Sequence, residues 1–246
     1  MSEPQRLDQL LVTLSLFASR SRARDAIQRG TVTVNGKIVT KPGALFTEDA
    51  QISIDDPAQD YVSRAALKLV AALDHFDLDP RGQHCLDVGA STGGFTEVLL
   101  ERGAAHVTAI DVGHDQMHPR VEADPRVTNI EGLNARNLTA GDIGEPFSFI
   151  VSDVSFISLK LALAPALALA EPGARAALLV KPQFEAGRDA IGKAGLLKDP
   201  SSAPAVAAEL ERWFTEDMGW QSLGLIASPI TGGDGNQEFL LAGIKP

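Results

Sequence analysis

The sequence predicts an α/β protein built on a mostly parallel sheet, preceded by a small α+β module. Three observations carry this. From about residue 63 onward, apolar strand patterns alternate with helical ones. The first of these strands runs into the turn Asp87-Val88-Gly89-Ala90-Ser91-Thr92-Gly93-Gly94, whose glycines let the backbone turn sharply and approach a ligand. The charge is also divided: residues 4–47 carry a net +5, whereas from Glu48 onward 15 basic residues stand against 29 acidic ones, in a chain of 246 residues with net charge −10.

In the first module, Leu7, Leu10, Leu11 and Leu14 follow the i, i+3, i+4, i+7 spacing of an amphipathic helix. Ser21 is placed to cap a second helix over residues 22–29, with Gly30 as its stop. Ala26 and Ile27 would then face the core, leaving Arg20, Arg22, Arg24 and Arg29 near the surface. Thr31-Val32-Thr33-Val34 alternates like a strand, Asn35-Gly36 is a strong hairpin turn, and Lys37-Ile38-Val39 is the return strand. Residues 50–54 read as a closing strand. The expected division is a module over 1–55, a polar linker over 56–62 broken by Pro57, and a large domain over 63–246. Four arginines within ten positions point to a nucleic-acid contact on the first module; the alternative is a solvated helix face.

In the large domain, Leu69, Ala72, Leu73 and Phe76 form the buried stripe of a helix, with Lys68 pointing away from it toward a cleft or solvent. Residues 83–89 are the first strand, followed by the glycine-rich turn and a helix to Arg102. Residues 106–112 are the second, ending at Asp111, an acid placed to bind ribose hydroxyls. A third short strand leads to Glu131-Gly132-Leu133-Asn134-Ala135-Arg136, placed to flank an adenine. A fourth, 147–151, delivers Ser152-Asp153-Val154-Ser155-Phe156-Ile157. A fifth, 176–180, delivers Lys181-Pro182-Gln183-Phe184-Glu185. Residues 222–227 and 239–244 read as the closing hairpin, entered through Glu238 after the loop 232–236.

Ligands of open α/β sheets bind at the carboxyl ends of the strands, which brings Asp153 and Lys181 together on neighbouring strands. A glycine-rich turn followed by an acid also describes dinucleotide sites. The turn here is not G-x-G-x-x-G, and Asp87 precedes its first glycine; both features favour S-adenosylmethionine. The expected cofactor contacts are Asp87, Gly89, Ser91, Thr92, Gly93, Gly94, Phe95, Asp111, Val112, Asn134 and Asp153. Lys68, Asp153, Lys181 and Glu238 make a set of amines and carboxylates suited to assisting a ribose hydroxyl, which is a poor nucleophile near neutral pH. Singly, three have a plainer reading: Lys68 as a solvated lysine, Asp153 as a cap, Glu238 as the guard of a sheet edge; Lys181, after an apolar strand, is harder to explain as a solubility residue.

The run Arg6-Leu7-Asp8, Ser21-Arg22, Ile27, Gly30, Val32-Thr33-Val34-Asn35-Gly36 and Lys41-Pro42 resembles the alpha-L RNA-binding domain over roughly residues 5–55. The resemblance implies docking on structured RNA by shape and phosphate contacts. The expected contacts are Arg6, Arg20, Arg22, Arg24, Lys37 and Lys41, with Arg64 beside them. Over nearly the whole chain, the segments Tyr-Val-Ser-Arg, Leu-Asp-Val-Gly-Ala-Ser-Thr-Gly-Gly-Phe-Thr, Ser-Asp-Val-Ser-Phe-Ile-Ser, Val-Lys-Pro-Gln-Phe-Glu and Gly-Asn-Gln-Glu-Phe-Leu resemble the TlyA family, often labelled hemolysin A. The catalytic domain of that family is similar to FtsJ-type ribosomal RNA 2′-O-methyltransferases. The resemblance implies a Rossmann-like class I methyltransferase sheet, S-adenosylmethionine as cofactor, and methylation of cytidine ribose on ribosomal subunits. It also implies a catalytic tetrad of Lys68, Asp153, Lys181 and Glu238. Lys181 is expected as general base or orienting group, with Asp153 accepting from both lysines. One departure is local: Ala65 and Ala66 stand where the family often has two glycines, and alanine favours the helix.

Cys85 is the only cysteine, so no internal disulfide is possible and a reducing compartment is expected. The start of the chain, Met1-Ser2-Glu3-Pro4-Gln5, carries no apolar signal core. The most apolar stretch, 159–170, contains Lys160 and Pro165 and is too short to span a bilayer. The expectation is a cytoplasmic protein with no membrane partner. The five histidines lack ligand spacing, so no metal is expected. Two rivals remain: a cytolysin, which needs a spanning helix or barrel-forming hairpins, and an RNA-binding assembly factor without turnover.

Overall fold

The computed structural model describes residues 3–192, 195–233 and 235–246. Met1 and Ser2 at the start of the chain, and Asp234 of the loop before Glu238, lie outside the described residues. The chain divides into two compact units, Met1–Asp60 and Tyr61–Pro246.

The small unit runs β1 (Gln5–Arg6), α1 (Leu7–Thr13), α2 (Arg20–Arg29), β2 (Val32–Val34), β3 (Lys37–Ile38), β4 (Leu45–Phe46) and β5 (Ile52–Ile54). Leu7, Leu11, Phe17, Ala26, Ile27, Val32 and Val34 make its core. The Asn35-Gly36 hairpin forms as expected, both residues at positive φ. The cap of α2 is Ser19, not Ser21. Ser19 is extended and its hydroxyl accepts from Arg22 N, so the helix opens at Arg20 with Ser21 inside it. Leu14 lies past the end of α1 and is exposed. β1 and β4 form an antiparallel pair that the sequence pattern did not signal.

Two arginine clusters stitch this unit. Asp8, buried at the first turn of α1, accepts from Arg6 at 3.0 and 3.1 Å and from Arg20 at 2.9 Å. Arg29, expected at the surface, is only 15% exposed: it donates to Asp25 at 2.8 Å and, through both terminal nitrogens, to Asp56 at 2.8 Å. Burial pushes the Asp56 carboxyl up, but the Arg29 fork and the Ala58 N–H outweigh it and hold it below its ordinary value. Residues 56–60 are therefore not a free linker. Asp56 is clamped, Ala58 is buried with its carbonyl accepting from Arg22, and Gln59 donates to Leu16 O. Tyr61 and Val62 bond instead to Glu101 and Glu97 of the large unit.

The large unit runs α3 (Ala66–His75), β6 (His84–Val88), α4 (Gly94–Glu101), β7 (His106–Ile110), α5 (Pro119–Glu122), β8 (Val127–Ile130), α6 (Ala140–Ile143) and β9 (Phe149–Ser152). It continues through α7 (Leu159–Ala162), α8 (Ala164–Leu169), β10 (Arg175–Val180), α9 (Pro182–Glu185), α10 (Ala203–Arg212), β11 (Gln221–Ala227) and β12 (Phe239–Ile244). The strands form one seven-stranded sheet in the order β11-β12-β10-β9-β6-β7-β8, parallel from β10 to β8, with β12 antiparallel to both its neighbours. The order reverses between β6 and β9, and such a switch point opens a crevice at the carboxyl ends of the strands.

Both faces of the sheet are covered, as near-continuous apolar strands require. Leu86, Val88, Ile150, Leu178, Val180 and Leu241 face one core, with α8 and α10. Cys85, Phe149, Val151, Ala177, Leu179, Leu240 and Ala242 face the other, with α3 and α4.

Replacing Asp56 by Ala is expected to strand the Arg29 fork and the Ala58 N–H and to lower the unfolding midpoint by roughly 5 °C. Thermal unfolding of the full chain measures it. An unchanged midpoint would mean that 56–60 behaves as a loose linker after all.

Candidate active site at the carboxyl edge of the large sheet

Successive side chains of a strand point to opposite faces, and that parity assembles the site. On the face covered by α3 and α4, the buried rows are Phe149 and Val151 on β9, Ala177 and Leu179 on β10, and Leu240 and Ala242 on β12. Carried two residues further toward the carboxyl edge, those rows reach Asp153, Lys181 and, backward along antiparallel β12, Glu238. Lys181 and Glu238 come next in register after the pair Val180↔Phe239. Helix α3, packed on the same face, contributes Lys68.

The four residues are held as two ion pairs. Lys68 Nζ lies 2.6 Å from Glu238 Oε2, with Lys68 5% and Glu238 3% exposed. Lys181 Nζ lies 2.5 Å from Asp153 Oδ1 and donates to Ser155 Oγ at 2.7 Å, at 8% exposure. Two expectations need correction. Lys68 does not point away from the buried stripe: Ala72 follows it at i+4, and both are buried. Nor does Asp153 serve both lysines, because Glu238 takes Lys68. The register of β12 brings Glu238 under α3, which no local pattern in the sequence specifies.

Two neighbouring cavities open at this edge. The larger, of about 570 Å³, is lined by Gly89, Ser91, Asp111, Val112, Gln116, Asn134 and Arg136, and by the segment Asp153–Ile157. The smaller, of about 160 Å³, is lined by Ser63, Ala65, residues 89–92, Gly94, Phe95, Asp153, Ser155 and Lys181. Gly89, Ser91, Asp153 and Ser155 border both. Gly89, at φ +85°, lets β6 and β9 close together: a Cβ there would meet Val154 Cγ1 at 2.9 Å and Asp153 O at 3.0 Å. Asp111 accepts from Ser91 N and Gly113 N, each at 2.8 Å, and a carboxylate retains further lone pairs for hydroxyl donors. Of the expected cofactor contacts, Gly89, Ser91, Thr92, Gly94, Phe95, Asp111, Val112, Asn134 and Asp153 line one cavity or the other. Asp87 and Gly93 line neither.

Gly93 is the left-handed cap residue of α4. Asp87 lies beneath the turn. Its parity points it at α4, where Oδ2 accepts from Thr96 Oγ1 at 2.7 Å and Oδ1 has no hydrogen-bond partner. Complete burial pushes this carboxyl up to about 7, against the Thr96 hydrogen bonds and with help from the nearby Asp153 and Asp111 charges. Asp87 thus pins the glycine-rich turn to the start of α4.

Sequence reasoning missed Gln116, Val154, Ser155, Phe156 and Ile157 as lining residues. Phe156 has a signal visible only in three dimensions: its φ is +64°, its side chain is 91% exposed, and its ring lies 5.2 Å from that of Phe184. In the small unit, Arg24, Lys37 and Lys41 are exposed, Arg6 and Arg20 are oriented by Asp8, and Arg22 is half-buried against the Ala58 carbonyl. Arg64 is half-buried in the segment before α3. Among the described residues no cluster of His, Cys, Asp and Glu is arranged to hold a metal ion, and no helix is long and apolar enough to cross a membrane.

Residues 61–245 match the FtsJ-like methyltransferase family and residues 5–52 the S4 domain. The chain is 42% identical to the 16S/23S rRNA (cytidine-2′-O)-methyltransferase TlyA of Mycobacterium tuberculosis, over 98% of this chain and 90% of that protein. It is 37% identical to Hemolysin A of Brachyspira hyodysenteriae, over 96% and 98% of the two chains. A solved structure from Streptococcus thermophilus with a provisional hemolysin label superposes with a TM-score of 0.75 at 39% identity, covering 100% of this chain and 90% of that one.

The raised Asp87 carboxyl fixes the sign of a pH effect. Between its ordinary value of 3.8 and about 7, the folded chain holds a proton that the unfolded chain releases, so stability falls as pH rises through that window. Asp87→Asn is expected to remove this slope, so the wild type loses stability relative to the variant from about pH 4 to about pH 7. Urea unfolding of both proteins across the window measures it, and parallel curves would contradict a protonated Asp87.

Proposed function

The chain belongs to the FtsJ-like methyltransferase family as a TlyA-type member, and on that footing we propose that it methylates the 2′-hydroxyl of cytidine ribose in ribosomal RNA, with S-adenosylmethionine as methyl donor. The observation that carries the reading is the pairing of Lys181 with Asp153 and of Lys68 with Glu238 at one sheet edge, beside the Gly89 cavities. When bound, the donor supplies an electrophilic methyl group. Asp111 is suited to its ribose hydroxyls. The residues lining the larger cavity suit its nucleoside part, and the smaller cavity, bordered by Lys181, suits the reacting end.

Lys181 Nζ is ion-paired with Asp153 and donates to Ser155 Oγ. A remaining N–H direction is left to hold the target oxygen. In this arrangement Lys181 would orient the hydroxyl and the adjacent Asp153 carboxylate would accept its proton, while the donor would give up its S–CH3 bond to the oxygen and leave as the neutral thioether. Lys68 is ion-paired with Glu238 rather than with Asp153. The pair fixes α3 against the start of β12 and closes the site on that side. Phe156 offers an exposed ring at the rim on which an unstacked base could lie. The exposed Arg24, Lys37 and Lys41 and the anchored Arg6 and Arg20 are suited to phosphates, and the strongly acidic large unit leaves most of that attraction to the small one.

The test is transfer of labelled methyl from S-adenosylmethionine to purified small and large ribosomal subunits. Wild-type protein is expected to leave alkali-resistant label on at least one subunit. Lys181→Ala is expected to lose roughly 10²-fold or more in rate with cofactor affinity nearly unchanged. Full activity in Lys181→Ala would remove this lysine from the mechanism. Cofactor binding without label on either subunit would move the substrate away from ribosomal RNA.

A further inference from the structure

Ser158, which ends the Asp153 segment, and Glu185, which ends the Lys181 segment, belong neither to the tetrad nor to the cavity linings. The structure joins them. Glu185 Oε2 accepts from Ser158 Oγ at 2.6 Å, and Oε1 accepts from Leu159 N at 2.7 Å. Both oxygens of one carboxylate are thus spent on the far end of a single loop. That loop, residues 153–158, carries Asp153, Ser155 and the cavity-lining Val154, Phe156 and Ile157.

At its near end the loop is tied to the sheet by Asp153 N donating to Val88 O at 3.2 Å. Its middle holds Phe156 at φ +64°, a conformation an L-residue keeps only when its surroundings impose it. Phe184, one residue before Glu185, packs its ring against Phe156. Burial pushes the Glu185 carboxyl up, against the hydrogen bonds from Ser158 and Leu159; the group gives up hydration to make this tether.

We propose that Glu185 is a positioning residue for methyl transfer: its two hydrogen bonds to Ser158 and Leu159 lock the loop 153–158 in the geometry that sets Asp153 and Ser155 against Lys181. Helix α9 begins immediately after Lys181, so one four-residue element fixes the lysine at its start and the lysine's partners at its end. A displacement of about 1 Å in such a site is enough to cost up to 10²-fold in rate.

The inference rests on the proposed role of Lys181 and Asp153, and the experiment separates the two. Full-length wild type, Lys181→Ala, Glu185→Ala, Glu185→Gln and Ser158→Ala are compared for kcat and KM with ribosomal subunits, for S-adenosylmethionine Kd and for Tm. Glu185→Ala is expected to lower kcat about tenfold at saturating cofactor and RNA, with KM for RNA changed less than kcat. Glu185→Gln, whose amide oxygen still accepts from Leu159 N and whose amide nitrogen can donate to Ser158 Oγ, is expected to recover to within about threefold of wild type. Ser158→Ala keeps the Leu159 bond and is expected to lose less than Glu185→Ala; it carries the test if Glu185→Ala does not fold. Wild-type kcat in Glu185→Ala, or equal losses in the Ala and Gln variants, overturns the tether while leaving the tetrad intact. An active Lys181→Ala overturns the tetrad reading itself.

Discussion

A lysine taken out of water needs an acid beside it, and this requirement organises the large unit. An unpaired buried ammonium costs several kcal/mol, more than most single contacts return. The two lysines at the sheet edge are each nearly covered, and each has a carboxylate within 2.6 Å. The pairs draw together elements that are distant in sequence: Lys68 and Glu238 are 170 positions apart, and Asp153 and Lys181 end neighbouring strands. Helix α3 is thereby fixed over the edge of β12, and the segment after β9 over the start of α9. The cavities between them owe their walls to those fixed elements.

The same logic, with a different outcome, governs the small unit. Asp8, Asp25 and Asp56 hold selected arginines of this unit. Asp8 is covered completely and faces Arg6 and Arg20, both about half exposed. Asp25 and Asp56 draw Arg29 largely out of the surface. What remains outward is a set of cations of which two are aimed by a buried carboxylate. An arginine oriented in advance loses less freedom when it meets a phosphate than one that swings freely, which suits Arg6 and Arg20 to the phosphate contacts proposed for them.

Burial also explains the residue least like its expected role. Asp87, expected to touch the cofactor, sits under the glycine-rich turn with one oxygen on Thr96 and the other unpartnered. Its strand position is odd-numbered like Cys85, and that parity sends it to the α4 side rather than into the cavity. Gly89 two positions later escapes the same fate because the strand has ended and a left-handed turn has begun.

By itself the sequence determined what is local and periodic. The alternation of apolar runs gave the strands and their two buried faces. The glycine-rich turn and Asp111 marked the end of the sheet where the cavities open, and the motif segments placed Asp153 and Lys181 on adjacent strands. Tertiary structure decided what depends on long-range register and on a shared helix face. It assigned Glu238 to Lys68 rather than leaving both lysines to Asp153, folded residues 56–60 back through Arg29, and moved the α2 cap to Ser19. It also brought Ser155 and Phe156 to the cavities and Glu185 against Ser158, because a side chain in a loop has no period to read and its partner is chosen only when two segments far apart in the chain are packed side by side.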